Sequence, residues 1–224
     1  MSTSEATGHP VGLDVGAARV HGVRLGHRSG RLVVEDCYAG PVSAHLLRFC
    51  AGTRDGRSPG RVAVDAPGGP SCGAHAGDLS VAPKFRSGRC SEIPSPGVPP
   101  VSWVTPSDGA EAAGWMVTGF EVWRLLRSAG ADVVETFPAA VFHRLNGGRW
   151  PPRKSTADGR RARVELLRGY LELPPGADGW PHDLLDAAAA ALVAAVGEPV
   201  PHRCEHPDGS RLWLPPALAS QPTG

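Results

Sequence analysis

The sequence predicts a mixed α/β domain in which a three-stranded antiparallel meander is followed by strands alternating with helices. Three observations predict it. Short apolar runs near the start are separated by turn residues, and later apolar runs alternate with segments whose apolar residues recur at helical spacing. The 29 glycines and 23 prolines among 224 residues come near a quarter of the chain, a share that calls for long irregular connections around a regular core. With 41% hydrophobic against 20% charged residues, the chain is not a charge-driven disordered tail, and its length suits one domain burying roughly 70% of its unfolded surface.

The first three strands are the runs VGLDVG (11–16), VHGVRL (20–25) and RLVVED (31–36), split by Gly, Ser, Ala and Arg. A helix is expected over 43–50. A fourth strand, RVAVDAPGG (61–69), stops at Pro67 because proline cannot donate to a ladder. Composition is then loop-like up to Pro106, with SPGVPP near its end. Met116, Phe120, Trp123 and Leu126 recur at helical spacing until Gly130, and ADVVETFP (131–138) reads as a fifth strand closed by Pro138. A short helix over 139–145, a basic loop over 149–158, a helix marked by Ala162, Leu166 and Tyr170 that stops before Pro174, and a strong helix over 183–196 complete the core. The ending EHPDGSRLWLP (205–215) adds a turn at Asp208-Gly209 and a short strand. The expected organisation is a disordered tail over 1–10, a single domain over 11–215 with a long loop insertion at about 66–114, and a disordered tail over 216–224.

A three-stranded meander followed by strands alternating with helices is the order of an RNase H-like α/β domain, a mixed sheet flanked by helices. Its acidic residues then gain meaning. In the first strand Gly12, Asp14 and Gly16 share one face and Val11, Leu13 and Val15 the other, because side chains alternate. Asp65 ends the fourth strand and Glu135 the fifth, where open α/β sheets bind ligands. Asp183 and Asp186 lie three apart at the start of the last helix, whose Ala187, Ala190 and Ala191 leave room for close approach to the sheet. Carboxylates brought together repel, and a hard cation with oxygen ligands relieves that repulsion, so Mg²⁺ or Mn²⁺ is the expected cofactor. A two-metal site would activate water and stabilise the leaving oxygen of a phosphodiester. The plainer alternatives are that Asp14 is a turn or strand-edge residue, that Asp183 caps the last helix, and that Glu135 accepts a hydrogen bond closing its strand.

Charge and cysteine usage bound the partners. A net charge of +1 removes the strong global basic field of histone-like binders but leaves room for a local patch. The basic concentration is Arg149, Arg153, Lys154, Arg160, Arg161, Arg163 and Arg168, with Trp150 and Tyr170 available to stack on bases. A solvated helix face with internal ion pairs is the alternative. Nearly all cations are arginine, with Lys84 and Lys154 as the only lysines, so a surviving lysine is informative. No CxxC pair and no secretory pattern accompany the five cysteines, which points to the cytoplasm. No run reaches the roughly 18 apolar residues needed to cross a bilayer. Cys72, His75 and Cys90, or His202, Cys204 and His206, offer weaker zinc-binding sets. No GxSxG, Walker A, GxGxxG or HExxH pattern occurs.

The runs VGLDVG, VAVDAPGG, RSGRCSE and VVETFPAAVF, a lysine followed by an arginine-bearing helix, and HDLLDAAAAALVA together resemble the DUF429 family, described as predicted nucleases with an RNase H-like fold. The resemblance spans Val11 to about Ala195. It implies acidic site residues at Asp14, Asp65, Glu135 and Asp186, with Asp183 as a further candidate. The helix pair also resembles the spacing of the Holliday-junction resolvase branch of the superfamily. Arg86 and Arg89 match the family's basic motif in the long loop, and with Arg160 and Arg163 they are the expected phosphate or nucleic-acid contacts. The family's lysine often follows a tyrosine, whereas Lys154 follows Arg153. The reading is thus a metal-dependent hydrolase acting on nucleic acid, with Asp14, Asp65, Glu135, Asp186 and Lys154 catalytic and Asp14, Asp65, Glu135, Asp183 and Asp186 holding metal. Lys154 and Arg89 would stabilise the developing phosphorane charge. Two other readings share the fold. One is an actin-like or sugar-kinase-like nucleotide-binding protein, which this chain is short for unless a homodimer supplies the second half. The other is a non-catalytic binding module.

Overall fold

The computed structural model describes residues 8–51, 60–201 and 210–216. Its meander is β1 (Val11–Val15), β2 (Val20–Arg28) and β3 (Arg31–Gly40), followed by α1 (Ala44–Ala51), β4 (Arg61–Asp65), α2 (Gly114–Ser128) and β5 (Asp132–Thr136). Next come α3 (Pro138–Leu145), α4 (Ala157–Arg168), β6 (Leu171–Glu172), α5 (His182–Val196), β7 (Glu198–Pro199) and β8 (Leu212–Leu214). The strands form one eight-stranded sheet in the order β6-β3-β2-β1-β4-β5-β8-β7. β1, β2 and β3 pair antiparallel, and β1, β4 and β5 run parallel. This is the RNase H-like arrangement, with helices on both faces.

Local chemistry explains the turns. β2 and β3 join through Ser29 (φ 50°) and Gly30 (φ 77°), both left-handed as a type I′ hairpin requires. This tight turn lets the two strands pair over nine positions, well past the stretch predicted from apolar alternation. Helix α2 ends in a Schellman motif: Gly130 has φ 78°, its N–H donates to Arg127, and Ala131 N–H donates to Leu126.

Two apolar layers sandwich the sheet. Val11, Leu13, Val15, Val62 and Val64 face a core shared with Leu46 and Phe49 of α1 and Val122, Trp123 and Leu126 of α2. On the other face Val23, Ala63 and Val134 meet α5 together with α3 and α4. α5 lies across β1, β2 and β4, and Ala187 to Ala191 are fully buried. The approach is so close that a Cβ on Gly12 would fall 1.9 Å from the Ala191 amide nitrogen and 2.2 Å from the Ala187 carbonyl oxygen. Glycine at 12 and alanines at 187, 190 and 191 therefore act together to bring the helix backbone onto the strand.

The long loop predicted after β4 is ordered by single helical turns at Pro83–Phe85, Cys90–Glu92 and Gly109–Glu111. Val81, Phe85 and Val101 anchor it to the α5-side core. The tail segments 1–7 and 217–224 and the turn predicted at Asp208-Gly209 lie outside the described residues.

Candidate active site

Asp14 and Asp65 are directly paired across the parallel β1–β4 ladder, and both lie on the α5 face, in line with Gly12 and Ala63. The N-terminal end of α5, with Asp183 in its first turn and Asp186 just beyond, carries both acids towards the same place. The close packing described above is what delivers them. Asp186 is buried, and Asp14 and Asp65 are partly so. Burial, then the neighbouring Asp186 and Asp183 carboxylates, push the Asp14 carboxyl up to about 7, against the pull of Lys154 and a hydrogen bond with Asp65. Burial, then Asp14 and Asp186, hold Asp65 well above the usual aspartate value. Burial also raises Asp186, while Lys154 and Arg163 oppose it.

Lys154 donates from Nζ to Asp186 Oδ2 at 2.7 Å. Burial alone would lower its pKa, but Asp186, then Asp14 and Asp65, outweigh it and keep the ammonium charged. The loop that presents it is rigidly built. Thr156 caps α4 by accepting from Gly159 N–H, and a Cβ on Gly159 would collide with the Arg153 carbonyl. Arg163 is buried, with its guanidinium stacked on Phe142 and Nη1 donating to the carbonyls of Pro152 at 2.9 Å and Gly159 at 3.1 Å. It therefore clamps the lysine loop from beneath instead of facing solvent. The departure from the tyrosine-lysine pattern leaves the lysine itself within the cluster.

Glu135 ends β5 near Asp65, but its own partners are different. Oε2 accepts from Arg89 Nη1 at 2.7 Å and Oε1 from Ser91 at 3.1 Å. Burial raises its pKa, with Arg89 and Ser91 opposing the shift. Glu92, also buried, accepts from the backbone N–H of Arg89 and Thr105 and from the Thr105 hydroxyl. Glu135 thus ties the long loop to the sheet, and Glu92 ties two stretches of that loop together. Of the other predicted phosphate contacts, Arg86 donates to the Val81 carbonyl, and the partly exposed Arg160 donates to the Ser155 carbonyl.

One neighbour was not anticipated: His21 stands opposite Asp14 in the β1–β2 ladder. Its Nδ1 lies 4.0 Å from Asp14 Oδ2 and 4.0 Å from Asp183 Oδ2. Burial holds its pKa below the usual value. Counting outward from the Gly16 to Arg19 turn would have found it, since hairpin partners are set by the turn. The N-cap of α5 is Pro181, with no side-chain cap bond, so Asp183 does not cap the helix. Among the described residues, Asp14, His21 and Asp183 are the group of three potential ligands whose donor atoms all lie within 4.8 Å. In the first zinc set, His75 Nε2 lies 3.3 Å from Cys90 Sγ and Cys72 does not join them in such a group. The set at 202–206 lies outside the described residues.

A family model described as "Protein of unknown function (DUF429)" matches residues 12–206. The chain belongs to this family. Among solved structures it is similar to RuvC of Thermus thermophilus at 17% identity, covering 81% of this chain and 89% of that one with a TM-score of 0.41. The same T. thermophilus protein in complex with a Holliday junction substrate is similar at 16% identity, with the same coverages and a TM-score of 0.41. No curated protein matches. No helix among the described residues is long and apolar enough to cross a membrane.

Proposed function

We propose that this DUF429 protein is a divalent-metal-dependent nuclease whose centre is formed by Asp14, Asp65 and Asp186. The observation that carries the proposal is the charge imbalance. Three carboxyls from two strand ends and one helix converge with a single ammonium beside them, and two of the three raise the pKa of the third. A fold does not keep such repulsion for stability, because buried like charges cost free energy unless something positive joins them. The donors are hard oxygens, which suit Mg²⁺ or Mn²⁺.

Asp14, Asp65 and Asp186 would hold the ion, with Asp183 at the rim. A divalent cation there supplies Lewis-acid activation of water and stabilisation of a phosphodiester's leaving oxygen. The protein's own groups do the rest. Lys154 keeps its charge and is half exposed, so it can turn from Asp186 to the phosphate as negative charge develops. Rigid strand ends and the Arg163 clamp hold these groups in place, which reduces the ordering cost of reaching the transition state. Exposed Arg149 and Arg153, the partly exposed Arg160 and the exposed ring of Trp150 flank the lysine loop, and they supply phosphate and base contacts for a nucleic-acid substrate. The protein would act in the cytoplasm as a single domain.

The test is incubation of single-stranded, duplex and branched DNA and RNA with Mg²⁺ or Mn²⁺, comparing the natural protein with Asp14→Asn, both shown to be folded. Cleavage by the natural protein alone is expected. If neither cuts, or both cut equally, the nuclease reading fails and ATP binding becomes the next measurement.

A further inference from the structure

We infer that His21, with Asp14 and Asp183, forms a second, nitrogen-containing metal position adjoining the all-oxygen one, and that it gives the centre a preference for transition-metal ions over Mg²⁺. The inference rests on the nuclease reading above and adds a ligand from β2 to it.

Register makes the placement. His21 is the direct partner of Asp14, and Gly22 pairs with Leu13. A Cβ on Gly22 would meet Phe49 on the opposite face, so the neighbouring His21 side chain lies on the α5 face with Asp14. Its imidazole is mostly covered, with 16% of the side chain exposed, so it is held in position. Both carboxylate oxygens stand 4.0 Å from Nδ1, which is beyond hydrogen-bond range. It is instead within the ~4.2 Å that two donors, each about 2.1 Å from one ion, can span. The other oxygen of Asp183, Oδ1, lies 2.5 Å from His182 Nδ1.

The two positions differ in what already occupies their donors. On the Asp65 and Asp186 side, Lys154 contacts Asp186 directly. On the His21 side no lysine or arginine pairs with Asp14 or Asp183 among the described residues. Asp14, between the two groups, has an oxygen for each. Imidazole nitrogen suits transition metals, whereas Mg²⁺ holds to oxygen and to near-ideal octahedral geometry. The His21 position should therefore take Mn²⁺ in preference to Mg²⁺.

The experiment measures bound Mn²⁺ by loss of the free-ion electron paramagnetic resonance signal, and displaces it with Mg²⁺. No nucleic acid is present. The natural protein should bind Mn²⁺ at least about tenfold more tightly than Mg²⁺. His21→Gln should lower Mn²⁺ affinity by about tenfold and leave Mg²⁺ affinity unchanged, since it removes the nitrogen donor and no oxygen donor. Asp183→Asn, on the partly exposed first turn of α5, gives a second variant should the strand substitution misfold, and the same loss of preference is expected. An unchanged Mn²⁺ to Mg²⁺ ratio in both variants overturns the His21 position, and if Asp14→Asn still loses both ions the nuclease reading survives it. Failure of the natural protein to bind either ion overturns both.

Discussion

Two groups of buried acids stand a strand apart in this molecule and differ in what balances them. Glu135 of the sheet and Glu92 of the long loop are met by Arg89, by serine and threonine hydroxyls and by backbone N–H groups of that loop. Asp14, Asp65 and Asp186 are met mostly by one another, with Lys154, among the described residues, as the one lysine or arginine paired with them. Burial raises the pKa of Glu135 as well as those of the three aspartates, so burial alone does not mark a site. What separates them is uncompensated like charge, which a protein retains where something else supplies the balance.

The largest expected effect comes from exchanging charge for amide in each group. Glu135→Gln takes the carboxylate from beside the buried Arg89 guanidinium and should cost about 3 kcal/mol of stability. Asp65→Asn removes a repelling charge and should stabilise the metal-free protein. Urea unfolding at pH 8 in EDTA checks the pair. Equal destabilisation by the two changes would erase the distinction between a structural and a functional acid group.

A smaller effect follows from pH. The Asp14 carboxyl is raised from 3.8 to about 7 by burial and by Asp186 and Asp183. Between those values the folded state binds more protons than the unfolded state, so this group lowers stability as pH rises from about 4 to about 7. Metal-free protein should therefore melt at a higher temperature at pH 6 than at pH 8. Glu135 contributes in the same direction, since burial raises it too, so the decisive quantity is the part of the slope that disappears in Asp14→Asn. An unchanged slope in that variant would place the excess charge elsewhere.

Most of the architecture was legible because it rests on local rules. Proline at 67 and 138, glycine at 30 and 130 and the alanine run at 187–191 mark the ends and faces of their elements. β6 and β7 were not legible. Each has two residues at a sheet edge, too few for alternation to register. Asp14, Asp65 and Asp186 could be placed because strand ends and helix starts have a period. Partners could not: that Arg89 meets Glu135, or that Arg163 turns inward onto Phe142, depends on how the long loop and α4 pack, which no spacing encodes.

That distinction also sorts the arginines, and it yields the smallest predicted effect. Arg160 is only partly buried and Arg163 buried although they sit three residues apart on α4. If the exposed side tracks a nucleic-acid backbone, Arg160→Glu should leave the melting temperature unchanged and weaken binding of any sequence, lowering the slope of log affinity against log salt by roughly 0.9 for each phosphate that the side chain neutralises. Fluorescence anisotropy with a labelled duplex at several salt concentrations measures it. Arg163→Glu would instead disturb the loop that presents Lys154, so weakened binding there would not isolate a phosphate interaction. An unchanged salt slope in Arg160→Glu would make the basic face of α4 a solvated surface and leave substrate binding to Lys154 and its flanking loop.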